Sequence, residues 1–248
     1  MSSSSSQALK IGIVGFGTFG QFLANTMIKQ GHTLFATSRT DYSHLCLQMG
    51  IHFFRDITAF LDADMDVILL CTSISSLSEV VGSMPLNCLE RPTLFVDVLS
   101  VKEHPKNLLL RVLPEESDIL CTHPMFGPVS GKNGWQNLTF MFDKVRIKDE
   151  VTCSKFLHIF ESEGCKMVEM SCEEHDKAAA KSQFITHTIG RKNQSWDVVL
   201  ICIVDYTYTT DSPDKSWKTL SMPYKKSKRR WSKQWRKDRT QKKLKVDA

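Results

Sequence analysis

Residues 11–20 read Ile11-Gly-Ile-Val-Gly-Phe-Gly-Thr-Phe-Gly20, and this stretch decides the fold. The apolar run Lys10–Val14 has strand length and breaks into Gly15-x-Gly17-x-x-Gly20, after which Phe19–Lys29 carries a helical pattern. At such a junction the first glycine permits a tight turn and the second lets backbone approach a pyrophosphate. The third allows close helix–strand packing. The helix then turns its free N–H groups and positive dipole end toward phosphates. The spacing predicts dinucleotide binding through Gly15, Phe16, Gly17, Thr18, Phe19 and Gly20.

Working outward, His32–Thr37, Asp66–Thr72, Thr93–Val98, Asp118–Thr122 and Lys166–Met170 read as further strands. Uninterrupted apolar runs such as D-V-I-L-L-C-T at 66–72 are expected where a strand is buried on both faces. Between them Asp41–Met49, Ser75–Gly82, Val101–Val112 and Val151–Glu163 suit crossover helices. The alternation predicts an α/β fold with a doubly wound parallel sheet.

Cofactor choice is read at the end of the second strand, where an acidic residue would bond the ribose 2′-hydroxyl of NAD. Here that position holds Ser38, Arg39 and Thr40, with Asp41 just beyond. A guanidinium suits a 2′-phosphate, which favours NADP, although Asp41 could still serve NAD. Thr72 and Ser73, ending the third run, complete the predicted nucleotide contacts.

Ligands of such sheets bind beyond the carboxyl ends of the strands. Asp97-Val-Leu-Ser-Val-Lys102 and Thr122-His-Pro-Met-Phe-Gly-Pro128 put Ser100 and His123 on neighbouring loops there. An imidazole, with a reference pKa near ~6.5, can take an alcohol's proton as hydride leaves. The alternative is an ordinary loop histidine ahead of a proline. No Gly-x-Ser-x-Gly elbow occurs, which argues against a hydrolase triad. Ser171-Cys-Glu-Glu174 is a capping box opening a helix over 172–191, and Gln183, His187 and Arg191 lie on its turns.

The 248 residues are 42% hydrophobic and 24% charged, which excludes disordered, collagen-like and disulfide-scaffold classes. Eight scattered cysteines suggest a reducing compartment, and no Cys/His spacing predicts a metal site. No apolar stretch is long enough to span a bilayer. Met1-Ser-Ser-Ser-Ser-Ser6 lacks the features of a targeting segment, so a cytosolic protein is expected. The charge is split: residues 1–191 carry a net of −4, residues 192–248 a net of +9.

G-I-V-G-F-G-T-F-G at 12–20, D-V-L-S-V-K at 97–102, T-H-P-M-F-G-P at 122–128 and S-Q-F-I-T-H-T-I-G-R at 182–191 together resemble the plant arogenate/prephenate dehydrogenases of tyrosine biosynthesis. The likeness covers about Leu9 to Arg191. It implies an NADP-binding Rossmann domain followed by a helical domain that dimerises and completes the substrate site. The implied reaction is NADP-dependent oxidative decarboxylation of prephenate, arogenate or both. By the same resemblance His123 matches the catalytic histidine and Ser100 the serine that bonds the same hydroxyl. Gln183 and His187 match residues that face the substrate.

The resemblance stops at Arg191. The expected organisation is therefore a disordered N-terminus over 1–8, a nucleotide domain over 9–171, the first helix of the helical domain over 172–191 and a divergent basic segment over 192–248. The helical domain would be truncated or replaced and the family homodimer lost. Two other readings follow: a chain that holds NADP without turnover, or a basic, Trp-bearing segment that contacts nucleic acid or serves nuclear import. The abrupt change suggests a retained intron, alternative exon or frameshift after Arg191. Sequencing transcripts across that codon is expected to reveal a junction; one uninterrupted exon in all transcripts would contradict this.

Overall fold

Val67–Leu70 is V-I-L-L, and all four side chains are fully buried because alternate residues serve two different cores. Val67 and Leu69 join Ile11, Ile13, Leu94, Val96 and Leu120 on one face of the sheet. Ile68 and Leu70 join Val14, Phe95, Ile119 and Cys121 on the other. The period of two in a strand makes this partition, and helices must cover both faces.

The computed structural model describes residues 8–180, apart from 87, 88 and 90. Its order is β1 (Lys10–Val14), α1 (Thr18–Lys29), β2 (Thr33–Thr37), α2 (Ser43–Met49), β3 (His52–Phe54), α3 (Ile57–Leu61) and β4 (Val67–Leu70). A 3₁₀ turn (Ile74–Ser76) leads into α4 (Leu77–Gly82), followed by β5 (Leu94–Asp97), α5 (Glu103–Val112) and β6 (Asp118–Pro124). Then come β7 (Thr139–Arg146), α6 (Glu150–Ser162) and β8 (Lys166–Glu169), and residues 172–180 form a further helix, α7. The strands make one eight-stranded sheet in the order β3-β2-β1-β4-β5-β6-β7-β8. Helices α1 and α6 pack on one face through Leu23, Met27, Phe156 and Phe160. On the other face α3, α4 and α5 contribute Phe60, Val81, Leu108 and Leu109.

The expected strands and helices up to β8 are present with ends shifted by at most two residues, and the order β3-β2-β1-β4-β5-β6 is that of the doubly wound fold. The expectation of a parallel sheet needs one correction: β7, absent from the sequence reading, runs antiparallel to β6. Its second half, Asp143-Lys-Val-Arg146, looks too charged for an interior strand. Each of those charges has work at the sheet's edge. Asp143 accepts the Cys172 amide at 2.8 Å, Lys144 pairs with Glu150 and Arg146 donates to the Ser117 carbonyl at 2.8 Å. The short β3 and α3 were also not expected; Asp56 caps α3 by accepting the Ala59 amide. The capping box at α7 forms as expected, with Ser171 N donating to Glu174 and Glu174 N donating to Ser171 Oγ. Gln183, His187, Arg191 and the basic segment over 192–248 lie outside the described residues.

Gly15 has φ +94, and a Cβ there would stand 2.8 Å from the Cys71 carbonyl oxygen. Ala at this position meets both a left-handed backbone and a collision with β4's own main chain. Gly15→Ala should destabilise by about 1–3 kcal/mol, lowering Tm by roughly 2–12 °C for a chain of this size. A thermal melt matching the parent would contradict the packing described.

Candidate active site

The glycine turn is held at the centre of the sheet's carboxyl edge. Gly15 N donates to the Thr37 carbonyl at 2.9 Å, and Cys71 N donates to the Val14 carbonyl at 2.8 Å. The turn therefore brings together the carboxyl ends of β2, β1 and β4, and with them Ser38–Thr40 and Thr72–Ser73. Gly17 is the N-cap of α1, whose first turn holds no acidic residue and no side-chain cap. Its first amides are free to meet an anion, in the favourable field of the helix's positive end. A Cβ on Gly17 would meet nothing within 4 Å, so space lies open over the turn. Thr72 Oγ1 is buried and has no hydrogen-bond partner among the described residues. An open glycine turn, uncapped amides and an unpaired hydroxyl fit a dinucleotide's phosphates and ribose. Phe16 is the exception among the predicted contacts. Its ring is fully buried, edge-on to Tyr42, so only its backbone faces the turn.

At the end of β2, Arg39 and Thr40 are exposed and Ser38 is half-buried. Asp41 Oδ1 accepts the Ser43 amide at 2.9 Å, and that bond holds its carboxyl below the usual range. Arg55, at the end of β3, donates from Nη1 to the Arg39 carbonyl at 3.2 Å. Two guanidinium groups thus border this corner of the crevice. The sequence reading missed Arg55 because the strand that delivers it is three residues long.

Further along the same edge, the loop after β5 and the end of β6 are locked by a buried charge. Lys102 and Asp97 are both fully buried. The ammonium pairs with Asp97 and donates to the Thr122 carbonyl at 2.5 Å, while Thr122 Oγ1 donates to the Asp97 carbonyl at 2.6 Å. Burial pushes the Asp97 carboxyl up, against the pull of the Lys102 charge. Leu99 N also donates to Asp97, at 3.1 Å. Ser100 is the exposed apex of this pinned loop, and His123 follows Thr122 directly. Ser100 lies on the loop after β5, while His123 lies within the end of β6 rather than on the loop expected, so the two sit at adjacent strand ends.

His123 does not stand alone. Its Nδ1 lies 2.9 Å from Nε2 of His175, whose own Nδ1 lies 2.8 Å from Asp176 Oδ1. Asp176 also accepts the Lys102 amide at 2.8 Å and the Glu103 amide at 2.9 Å, which caps α5 from α7. Burial opposes ionisation of Asp176, yet the Glu103 amide and His175 hold it below the usual range. For His123, burial first and then the nearby His175 and Lys102 push the pKa down to about 3, Asp176 opposing. The ring is neutral at physiological pH. Sequence reasoning missed His175 and Asp176. The available signal was their place in the first turn after the capping box, a turn that faces the carboxyl edge.

Among the described residues no group of three His, Cys, Asp or Glu could hold a metal ion, and no helix is long and apolar enough to cross a membrane.

A family profile described as prephenate dehydrogenase, nucleotide-binding domain, matches residues 24–150. The chain is 60% identical over 187 residues to arogenate dehydrogenase 1, chloroplastic, of Arabidopsis thaliana, covering 74% of this chain and 29% of that protein. It is 56% identical over 197 residues to arogenate dehydrogenase 2, chloroplastic, of the same plant, covering 78% and 55%. The chain thus spans between about a third and about half the length of these relatives. Both are chloroplastic, which overturns the expectation of a cytosolic protein. Among solved structures, prephenate dehydrogenase from Aquifex aeolicus aligns with a TM-score of 0.62 at 18% identity, covering 82% of this chain and 72% of that one. Arogenate dehydrogenase from Synechocystis aligns with a TM-score of 0.55 at 20% identity, covering 78% and 73%. These two show the fold. With the profile matched across half its length onto a doubly wound nucleotide-binding sheet, the chain belongs to the arogenate/prephenate dehydrogenase family.

Proposed function

We propose that this chain acts as an NADP-dependent dehydrogenase, carrying out the oxidative decarboxylation of arogenate or prephenate in tyrosine biosynthesis. One observation carries the reading. The open glycine turn of β1–α1 and a neutral histidine, His123, share one edge of the sheet, and His123 Nε2 has no partner among the described residues. The names of the two Arabidopsis relatives make arogenate the first substrate to test.

Bound over Gly15–Gly20, NADP⁺ supplies the hydride acceptor. Arg39, with Arg55 beside it, would hold the 2′-phosphate of the nucleotide. Ser100 hydrogen-bonds the C4 hydroxyl of the cyclohexadienol and fixes its direction. His123 Nε2 takes the hydroxyl proton as hydride leaves C4, when the alcohol is most acidic, and holds it while CO₂ departs and the ring aromatises. Gln183 and His187 are proposed to contact the substrate. A second reading is nucleotide binding without turnover.

NADP⁺ should bind more tightly than NAD⁺, and Arg39→Ala should weaken NADP⁺ alone, by about 1–3 kcal/mol for a lost charge-assisted contact. Titration of both nucleotides checks this; equal losses would defeat the assignment. Gly17→Ala should leave Tm unchanged while weakening both nucleotides, because its methyl enters open space where the pyrophosphate sits. If Gly17→Ala binds as the parent does, the phosphates lie elsewhere. His123→Ala should lower kcat about 10²–10⁴-fold, with a smaller change in KM. NADPH formation from arogenate and from prephenate measures this. A near-normal kcat would remove His123 as the base, and no turnover by the parent chain with tight NADP⁺ binding would select the second reading.

A further inference from the structure

We infer that His175 and Asp176 are positioning residues for His123, a carboxylate–imidazole–imidazole chain that fixes His123 as its Nδ1–H tautomer and keeps Nε2 open to accept a proton. The inference rests on the reading of His123 as the base, and it follows from the direction in which each hydrogen bond must run.

Asp176 is held ionised by the Glu103 amide and its other partners, so it can only accept. His175 Nδ1, at 2.8 Å, must therefore donate to it. When Nδ1 carries the one ring proton of His175, its Nε2 presents a lone pair, and His123 Nδ1, 2.9 Å away, must donate in turn. That leaves the lone pair of His123 on Nε2. The reverse polarity would need protons on both nitrogens of His175. The other charge facing His123 is the buried Lys102 at the start of α5, which repels a proton on its ring. Once Nε2 is protonated, the relay turns the Nδ1–H dipole toward His175 and Asp176 and spreads the new charge away from Lys102. The edge-to-face contact of the rings, centroids 5.0 Å apart at 75°, fixes their orientation.

A purely structural account also explains part of this arrangement, since Asp176 caps α5. That cap uses only the carboxylate and the two amides. It gives no reason for a ring with two nitrogens, 3% exposed, to lie between the cap and His123. His175→Phe separates the two accounts, because it keeps an aromatic ring there and removes both nitrogens.

The test is ¹⁵N imidazole NMR of the full chain, which reports the proton position on His123 without any substrate. The parent should show His123 protonated at Nδ1 and bare at Nε2. In His175→Phe and in Asp176→Asn that preference should be lost. NADP⁺ affinity should stay near the parent's, and kcat should fall about 10–10³-fold with little change in KM, the scale expected for a misplaced base. Asp176→Asn stands in if His175→Phe does not fold, and the parent spectrum needs no variant. A parent His123 protonated at Nε2, or an unchanged Nδ1–H tautomer in the variants, would overturn the inference. The expected tautomers without turnover on either substrate would uphold the relay and overturn the reading of function.

Discussion

A buried ammonium organises the crevice-facing edge of this sheet. Lys102 reaches back from the start of α5 to Asp97 at the end of β5 and to the Thr122 carbonyl at the end of β6. Taking both charges out of water costs several kcal/mol per ion, which the pairing and its hydrogen bonds must offset. A well-packed apolar pair would serve stability equally well. What the ion pair adds is direction: the loop path from Asp97 to Lys102 satisfies Leu99 N, the Thr122 carbonyl and Asp176 together. Ser100 is thereby presented at the apex of that path, and His123 is set one residue beyond the pinned carbonyl.

The same economy governs the nucleotide half of the edge. Gly15 must be glycine because β4's backbone crowds it, whereas Gly17 is crowded by nothing. One glycine belongs to the fold and the other to the ligand. The free first turn of α1 and the unpaired Thr72 hydroxyl are incomplete as protein structure and complete only with an anion and a polar partner. On the far corner Arg39 and Arg55 collect positive charge beside Asp41, which accepts the Ser43 amide. In the proposed function the nucleotide and the proton acceptor are held by different strand ends of one sheet, which suits a reaction that needs both in register.

How much was legible follows from how local each signal is. The turn at Gly15–Gly20 and the β4 run declare themselves within ten residues, because burial on both faces and close backbone approach each demand particular residue types. Ser100 and His123 were legible once the strand ends were placed. His175 and Asp176 were not, since their meaning depends on α7 folding back over α5, 74 residues away in the case of Lys102 and Asp176. Arg55 was hidden for a similar reason, behind a strand too short to show a period. β7 escaped because its charges are answered by partners in other elements, on α6, at Ser117 and at the start of α7.

The central claim is that a dinucleotide lies over the carboxyl ends of β2, β1 and β4, beside His123. Hydrogen–deuterium exchange of the full chain with and without NADP⁺ tests it most directly. The account predicts added protection at residues 15–20, 38–40 and 71–76. Protection confined instead to the cavity at the opposite end of the sheet, lined by Leu61, Met65, Ile68 and Arg91, would contradict it, as would no protection at saturating NADP⁺.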